Sequence, residues 1–299
     1  MKKLFFSVPL IVFLQAKAQI DPVKYPTYTS IDDALKSGKT VYSMSFRGKT
    51  MFNIPTEIQK FSSIFFLNLM ENKLEKMDES IFKLKGLTIL NLNENSIKYI
   101  PDEIAELQKL ENFSINLNNL TSINPNLEKL KRLKTIHLDA NNLNVFPEAL
   151  LQIPSLEEIN LQGNQISFIA KDLDKIKNLR SLNLAANQLN DLGELEFPKQ
   201  IKYLELQQNS IRKLPNGLFR SKNLEFLNVS QNNIQEISPK VKGLKNVVSM
   251  NLANNQLTDL PVEFSQLKNL KTLILTGNPI EKSTLEKLKA IMPQTQIYF

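Results

Sequence analysis

The chain has 299 residues, and its hydrophobic share of 42% is sufficient for a packed interior. It contains no Cys, which excludes disulfides, thiolate metal sites, a cysteine nucleophile and a lipid-modified N-terminal cysteine. The net charge of +7 includes Lys2, Lys3 and Lys17, so without the first 18 residues it is +4, too mild an excess to indicate nucleic-acid binding.

The first segment, residues 1–18, has the layout of a secretory signal peptide. Two lysines precede an apolar run from Leu4 to Leu14, and Ala16-Lys17-Ala18 fits the small-x-small pattern of a cleavage site. The run is shorter than the roughly 20 apolar residues of a bilayer-spanning helix. We therefore expect cleavage near Gln19, export from the cytoplasm, and no transmembrane span.

A repeat of the form LxxLxLxxN occupies most of the remaining chain, and the copy that begins at Leu87 shows it clearly. Eleven copies cover residues 41–280, each 23 residues from the next except for one step of 22 between Asn187 and Asn209. The first copy is degenerate and has Lys49 in the Asn position. The other copies carry the recurring Asn at Asn72, Asn95, Asn118, Asn141, Asn164, Asn187, Asn209, Asn232, Asn255 and Asn278.

The repeat predicts an α/β solenoid. The LxL alternation has the period of a strand with one apolar face, and copies that run in one direction make a parallel ladder. A single copy is unable to bury its leucines, so neighbouring copies must stack. The Asn amide both donates and accepts, which suits it to pair loop backbone groups inside the turn after each strand. The short unit at residues 191–200 should be irregular.

The pattern resembles leucine-rich-repeat proteins with 23-residue units and a Pro after the loop, such as Pro101. Bacterial secreted or surface members and intracellular Ras-group-related members share this unit. The resemblance implies a horseshoe with a parallel β-sheet on its concave face and short helical or irregular convex segments. It also implies an N-terminal cap with a short helix at residues 19–40 and a C-terminal cap at residues 281–299.

In such a horseshoe the third, fifth and seventh positions of LxxLxLxxN face the concave side. Only four of these thirty-three side chains are charged, and Asn holds six of the eleven fifth positions, although Asn is disfavoured in strands. The amides could bind a partner, or they could hydrogen-bond along the strands as a structural ladder. One apolar patch, Phe65, Phe66, Met70 and Ile89, lies near the N-terminal end, where residues 20–40 could fold over it as a cap, and a second apolar pair is Tyr203 with Phe226 on adjacent strands. The candidate binding residues are Phe66, Met70, Ile89, Asn91, Asn160, Asn183, Tyr203, Glu205, Phe226 and Asn228.

The sequence favours an extracytoplasmic binding module, secreted, periplasmic or at the cell surface, that captures a protein or a glycan on the concave face. A self-associating surface protein is one alternative. An intracellular scaffold is another, if the first residues are not a signal peptide. The sequence does not predict an enzyme, a metal site or a cofactor, because His137 has no further His or Cys to act with.

Overall fold

A computed structural model of the protein describes residues 24–169 and 172–299, so the expected signal peptide at 1–18 lies outside the described residues. The chain forms a single parallel sheet of thirteen strands, in which each strand pairs with the next along the sequence. Eleven of these strands, β2 to β12, begin one residue before the LxL of the eleven sequence repeats and end on its middle residue. The strands are β1 Thr27–Tyr28, β2 Ser43–Ser45, β3 Phe66–Asn68, β4 Ile89–Asn91, β5 Asn112–Ser114, β6 Thr135–His137, β7 Glu158–Asn160, β8 Ser181–Asn183, β9 Tyr203–Glu205, β10 Phe226–Asn228, β11 Ser249–Asn251, β12 Thr272–Ile274 and β13 Gln296–Tyr298.

The return segments are short helices on the convex side, as the leucine-rich-repeat pattern predicts. One is the single α-helical turn α2, Glu79–Phe82. In the described part of the chain the others are 3₁₀ helices, at Thr56–Lys60, Asp102–Glu106, Pro125–Lys129, Glu148–Gln152, Leu173–Lys175, Asn216–Arg220, Pro239–Gly243 and Val262–Gln266. The short unit between β8 and β9 has no convex helix, and Gly193 there has a φ of +49°. The expected irregularity is therefore present.

Extra elements extend the sheet at both ends. Strand β1 pairs with β2 and is followed by α1, Ile31–Lys36, whose N-cap Ser30 accepts a hydrogen bond from the Asp33 N–H. Helix α3, Lys282–Ile291, buries Leu285 and Leu288 and leads into β13, which pairs with β12. None of the helices in the described ranges is long and apolar enough to cross a membrane.

The core consists of stacked rows of apolar side chains. The middle residue of each strand from β2 to β12 points inward and is at most 1% exposed, as Leu90 and Ile136 show. Burial of one such side chain stabilises the fold by roughly 1.5–3 kcal/mol. The row two residues further on, which includes Leu92 and Leu138, is equally buried. Each repeat thus covers its neighbour's apolar face along the whole solenoid.

A residue in the left-handed backbone conformation follows the strand in every repeat. The residue before the recurring Asn has a φ between +49° and +79° in all eleven copies, yet it is Gly in only three of them, Gly48, Gly163 and Gly277. The other eight copies accept a backbone conformation that costs a residue with a side chain roughly 1–2 kcal/mol. This turn directs the following Asn into the interior.

The inward Asn joins each repeat to the one before it. The Nδ2 of Asn141 donates to the carbonyl oxygens of Ile115, Leu138 and Asp139 at 3.0, 3.1 and 3.2 Å. Its Oδ1 accepts the Leu120 N–H at 3.0 Å. The same pattern recurs from Asn72 to Asn278. The first copy has no complete repeat before it, which explains why the exposed Lys49 is tolerated there.

A second set of amides, which the sequence interpretation missed, holds the turns before the strands. The Nδ2 atoms of Asn178, Asn223 and Asn269 donate to carbonyl oxygens one repeat earlier at 2.8–2.9 Å. Their signal is the recurring Lys-Asn that precedes the first apolar residue of the repeat.

The hydrogen bonds of the inward Asn predict that truncation of its side chain greatly reduces the stability of the protein. We expect Asn141→Ala to destabilise the protein by ~2–4 kcal/mol, because it leaves the buried Leu120 N–H unpaired and removes the shorter of the two hydrogen bonds to the Ile115 carbonyl. Hydrogen exchange at the Leu120 amide and the urea midpoint measure the effect. The neighbouring exposed residue provides the control, since Asn142→Ala should change stability by less than ~0.5 kcal/mol. Equal stability of the two variants would contradict the role of the inward Asn.

Candidate concave binding surface

Three rows of side chains cover the concave face between the buried rows. The first row is the first residue of each strand from β2 to β12, the second row is its last residue, and the third row lies two residues after that. All ten candidate residues lie in these rows and are half-buried. Phe66, Ile89, Tyr203 and Phe226 belong to the first row. Asn91, Asn160, Asn183, Glu205 and Asn228 belong to the second, and Met70 belongs to the third.

The N-terminal apolar patch consists of Phe66, Ile89 and Met70. Phe66 and Ile89 are directly paired across β3 and β4, and Met70 Sδ lies 4.0 Å from the Asn91 amide. Tyr25 of the N-terminal cap contacts the neighbouring Phe65, which lies on the flank of the sheet. The two rings meet edge to face, and their centroids are 5.3 Å apart. Both Phe65 and Phe66 are half-buried, and within residues 24–40 of the cap it is Phe65 that Tyr25 contacts, while Phe66 lies in the first concave row.

The C-terminal apolar patch consists of Tyr203 and Phe226, which are paired across β9 and β10. Polar groups lie beside it, since Glu205 faces Asn228 in the same register and accepts a hydrogen bond from Gln207 Nε2 at 3.0 Å. An apolar pair with adjacent polar groups is the usual composition of an interface anchor.

The second-row amides do not form the ladder between strands that the sequence suggested as one alternative. Each Asn oxygen instead accepts the backbone N–H two residues later, at 2.9 Å for Asn91, 2.9 Å for Asn183 and 3.1 Å for Asn228. The reason is geometric: an Asn side chain readily closes a turn onto its own backbone where a strand ends. The oxygen is thus used internally, while the Nδ2 groups remain on the concave face. Asn183 donates there to Gln162 Oε1 at 3.2 Å.

In the middle repeats the third row, and not the second, accepts these backbone N–H groups. The sequence interpretation missed this arrangement. Where the second-row residue is Ser114 or His137, the backbone N–H two residues on bonds to the third-row side chain of the preceding repeat. Asn93 Oδ1 accepts the Asn116 N–H at 2.7 Å, and Asn116 Oδ1 accepts the Asp139 N–H at 2.8 Å. Asp139 Oδ1 in turn accepts the Gln162 N–H at 3.0 Å.

Asp139 is the concave group with the largest change in acidity. Burial raises the pKa of Asp139 to about 6, and the Glu158 carboxylate acts in the same direction. His137 and the Gln162 N–H oppose this increase. The His137 ring pairs with Glu158 at 2.8 Å and lies 3.4 Å from the Ser114 hydroxyl. The centre of the concave face therefore holds one small ionisable cluster in a nearly uncharged surface.

The raised pKa predicts a pH-dependent stability that a single substitution removes. Because the folded-state pKa lies above the ordinary value of 3.8, stability contributed by protonated Asp139 is complete below about pH 4 and is lost as the pH rises through about 6. Asp139→Asn keeps an oxygen for the Gln162 N–H, so we expect it to stabilise the protein at pH 8 by ~1–3 kcal/mol and to match the native protein at pH 4. Urea midpoints at both pH values measure this difference. The exposed Glu286→Gln serves as control, and an equal gain there or no gain in Asp139→Asn would refute the burial effect.

Comparison with known proteins agrees with this geometry. The model of the leucine rich repeat family matches residues 66–120, 108–166, 131–189 and 223–280, together more than half of the chain. No curated protein matches the sequence. A leucine-rich-repeat protein of Leptospira interrogans is 33% identical, with a TM-score of 0.80 over 87% of this chain and 66% of the other.

Two further structures share the fold at lower identity. An internalin of Listeria monocytogenes, InlF, is 22% identical with a TM-score of 0.72 over 86% of this chain and 72% of its own. A chain of the Toll–Spatzle complex of Drosophila is 21% identical with a TM-score of 0.71, and the match covers 81% of this chain and 33% of the other. The protein belongs to the leucine-rich-repeat family, whose solenoids generally serve as scaffolds for protein recognition.

Proposed function

We propose that the protein is an extracytoplasmic binding protein that captures a protein partner on its concave face. The observation that carries this proposal is the pair of apolar patches, Phe66 with Ile89 and Met70, and Tyr203 with Phe226, on a surface otherwise made of amides and small polar groups. Large apolar and aromatic side chains that are ringed by polar groups supply most of the affinity in protein interfaces.

The distance between the patches indicates the size of the partner. Phe66 lies on β3 and Tyr203 on β9, six strands apart. Neighbouring strands are about 4.8 Å apart, so the two patches are separated by roughly 30 Å. A folded domain or an extended segment of about ten residues spans this distance, whereas a small molecule does not. The second-row Asn Nδ2 groups between the patches would donate to the partner's carbonyl oxygens.

A structural neighbour supports a protein partner. The matching chain was solved in the Toll–Spatzle complex, so a solenoid of this fold is part of a protein–protein complex in that case. The low charge of the concave face here favours a partner that contributes apolar and amide groups over a highly charged one, since phosphate-rich ligands require Lys or Arg.

The test is a cross-linking capture experiment with the full chain in its own cells. We expect the native protein to cross-link to one partner, and Phe66→Ala/Tyr203→Ala to lose it while it keeps a native circular dichroism spectrum. The matched control is Phe168→Ala/Val262→Ala, which removes two exposed apolar side chains outside the concave rows. Retention of the partner by the first variant, or equal loss in both, would refute concave binding. Recovery of the protein itself as the only partner would point to self-association.

The extracytoplasmic location rests on residues 1–18 and has its own test. We expect the protein in envelope or culture-medium fractions to begin near Gln19, because the Ala16-Lys17-Ala18 pattern fits signal peptidase cleavage. N-terminal mass spectrometry of the fractionated protein measures this, with Ala18→Arg as the cleavage-blocked control. An intact Met1 in a cytoplasmic fraction would instead favour an intracellular scaffold.

A further inference from the structure

The two parts of the solenoid carry opposite net charges. Residues 199–299 contain 14 Lys and Arg against 7 Asp and Glu, a net charge of +7. Residues 24–198 contain 20 against 22, a net charge of −2. The mild positive charge of the whole chain therefore conceals a basic C-terminal third that begins at the end of the irregular short unit. Such a charge asymmetry favours an anionic partner for that part of the chain.

Four lysines of this basic third form a row on the flank of the sheet. Lys199, Lys222, Lys245 and Lys268 follow one another at 23 residues, each four residues before a strand, and all are exposed. With one lysine per repeat, neighbouring charges are about 5 Å apart at their backbone positions.

The backbone under the lysine row is held in place. The N–H groups of Lys222 and Lys245 each bond to the carbonyl two residues earlier at 2.9 Å. The carbonyls of Lys199 and Lys245 accept Asn223 Nδ2 and Asn269 Nδ2, both at 2.9 Å. The row is thus repeated and pre-organised, which lowers the cost of binding a repeating ligand.

The lysines of the row lack acidic partners. Among the described residues none of the four forms a salt bridge, although Lys268 Nζ donates to the Ser265 carbonyl at 2.8 Å. The same position of the N-terminal repeats differs, because Lys85 pairs there with Glu106 and Lys177 with Asp174 at 3.7 Å. Uncompensated positive charge is therefore concentrated beside the C-terminal strands.

A shallow groove of about 500 Å³ runs beside the row and is lined in part by Lys202, Val248, Lys271 and the amides of Asn223 and Asn269. Lys202 pairs with Glu225 at 2.7 Å, so the single carboxylate of the groove is neutralised. Val248, at 39% exposure, offers an apolar floor. Because the Nδ2 groups of both asparagines bond to the backbone, their oxygens remain as acceptors for hydroxyl groups.

We propose that the lysine row and the groove beside it bind a linear acidic polysaccharide. Its carboxylate or sulfate groups would pair with the lysines of the row, and a sugar ring would pack against Val248. Hydroxyl groups would donate to the asparagine oxygens. The groove has no aromatic platform among its lining residues on which nucleic-acid bases could stack. It also lacks the large protruding apolar side chains that insert into a lipid surface. This site lies on the flank of the sheet and is separate from the proposed concave protein site.

The test uses the full chain and polygalacturonate as the probe, with neutral dextran as the uncharged comparison. We expect binding to polygalacturonate that weakens with added NaCl, and none to dextran. Lys199→Gln/Lys222→Gln/Lys245→Gln should bind at least ~10-fold more weakly and with a shallower salt dependence. The matched control is Lys60→Gln/Lys83→Gln/Lys129→Gln, which removes three exposed lysines without salt bridges from the N-terminal convex side. This control should stay within roughly twofold of the native protein.

Several outcomes would overturn the proposal. One is the absence of polygalacturonate binding at low salt, and another is an equal loss in the two triple variants, which would show a general charge effect. Phosphatidylglycerol vesicles and a single-stranded oligonucleotide are tested in parallel. Tighter binding of either one, lost in Lys199→Gln/Lys222→Gln/Lys245→Gln, would assign the lysine row and its groove to a membrane or to nucleic acid. The circular dichroism spectrum of each variant confirms that the fold is intact. A failure of concave capture leaves this result unaffected, because the two sites share no residue.

Discussion

The hydrogen bonds of the inward Asn are the contacts on which the solenoid depends. Each one joins the end of a strand to two points of the preceding repeat, and its side chain is buried in six of the ten copies and half-buried in the other four. The left-handed residue before it is what turns the side chain inward. Eight copies accept that backbone conformation without glycine. The strain is offset because the Asn pairs buried backbone groups that would otherwise cost more.

A continuous stack of this kind places equivalent residues of different repeats side by side. Any residue type that recurs every 23 positions therefore becomes a row on the surface. The concave face shows one use of this rule, since its rows are mostly amides and small polar groups with two apolar patches. The flank shows another, in which lysines align along the C-terminal repeats. One fold thus offers two surfaces of different chemistry, a nearly neutral one and a basic one.

The polar groups of the concave face also serve the backbone. The second-row Asn residues close the turn after their own strands, and in the middle repeats Asn93, Asn116 and Asp139 do so for the next repeat. These residues therefore stabilise the backbone and also form part of the concave surface, so substitutions there would affect stability as well as binding. The side chains of Phe66, Ile89 and Phe226 in the apolar patches have no polar group with which to bond the backbone. For that reason they are the better positions at which to separate binding from folding.

The sequence by itself determined the repeat, the strand positions, the inward leucines and the inward Asn, because each of these follows from spacing within a single 23-residue unit. The same spacing placed the ten candidate residues on the concave rows. What only the tertiary structure decided depends on contacts between neighbouring repeats or with the cap. Tyr25 contacts Phe65 on the flank while Phe66 lies on the concave face, burial raises the pKa of Asp139, and Lys222 lacks the acidic partner that Lys85 has at the same position of an earlier repeat. Side-chain partners in a solenoid lie one repeat away, and the conformations that bring them together are set by packing and not by the local pattern.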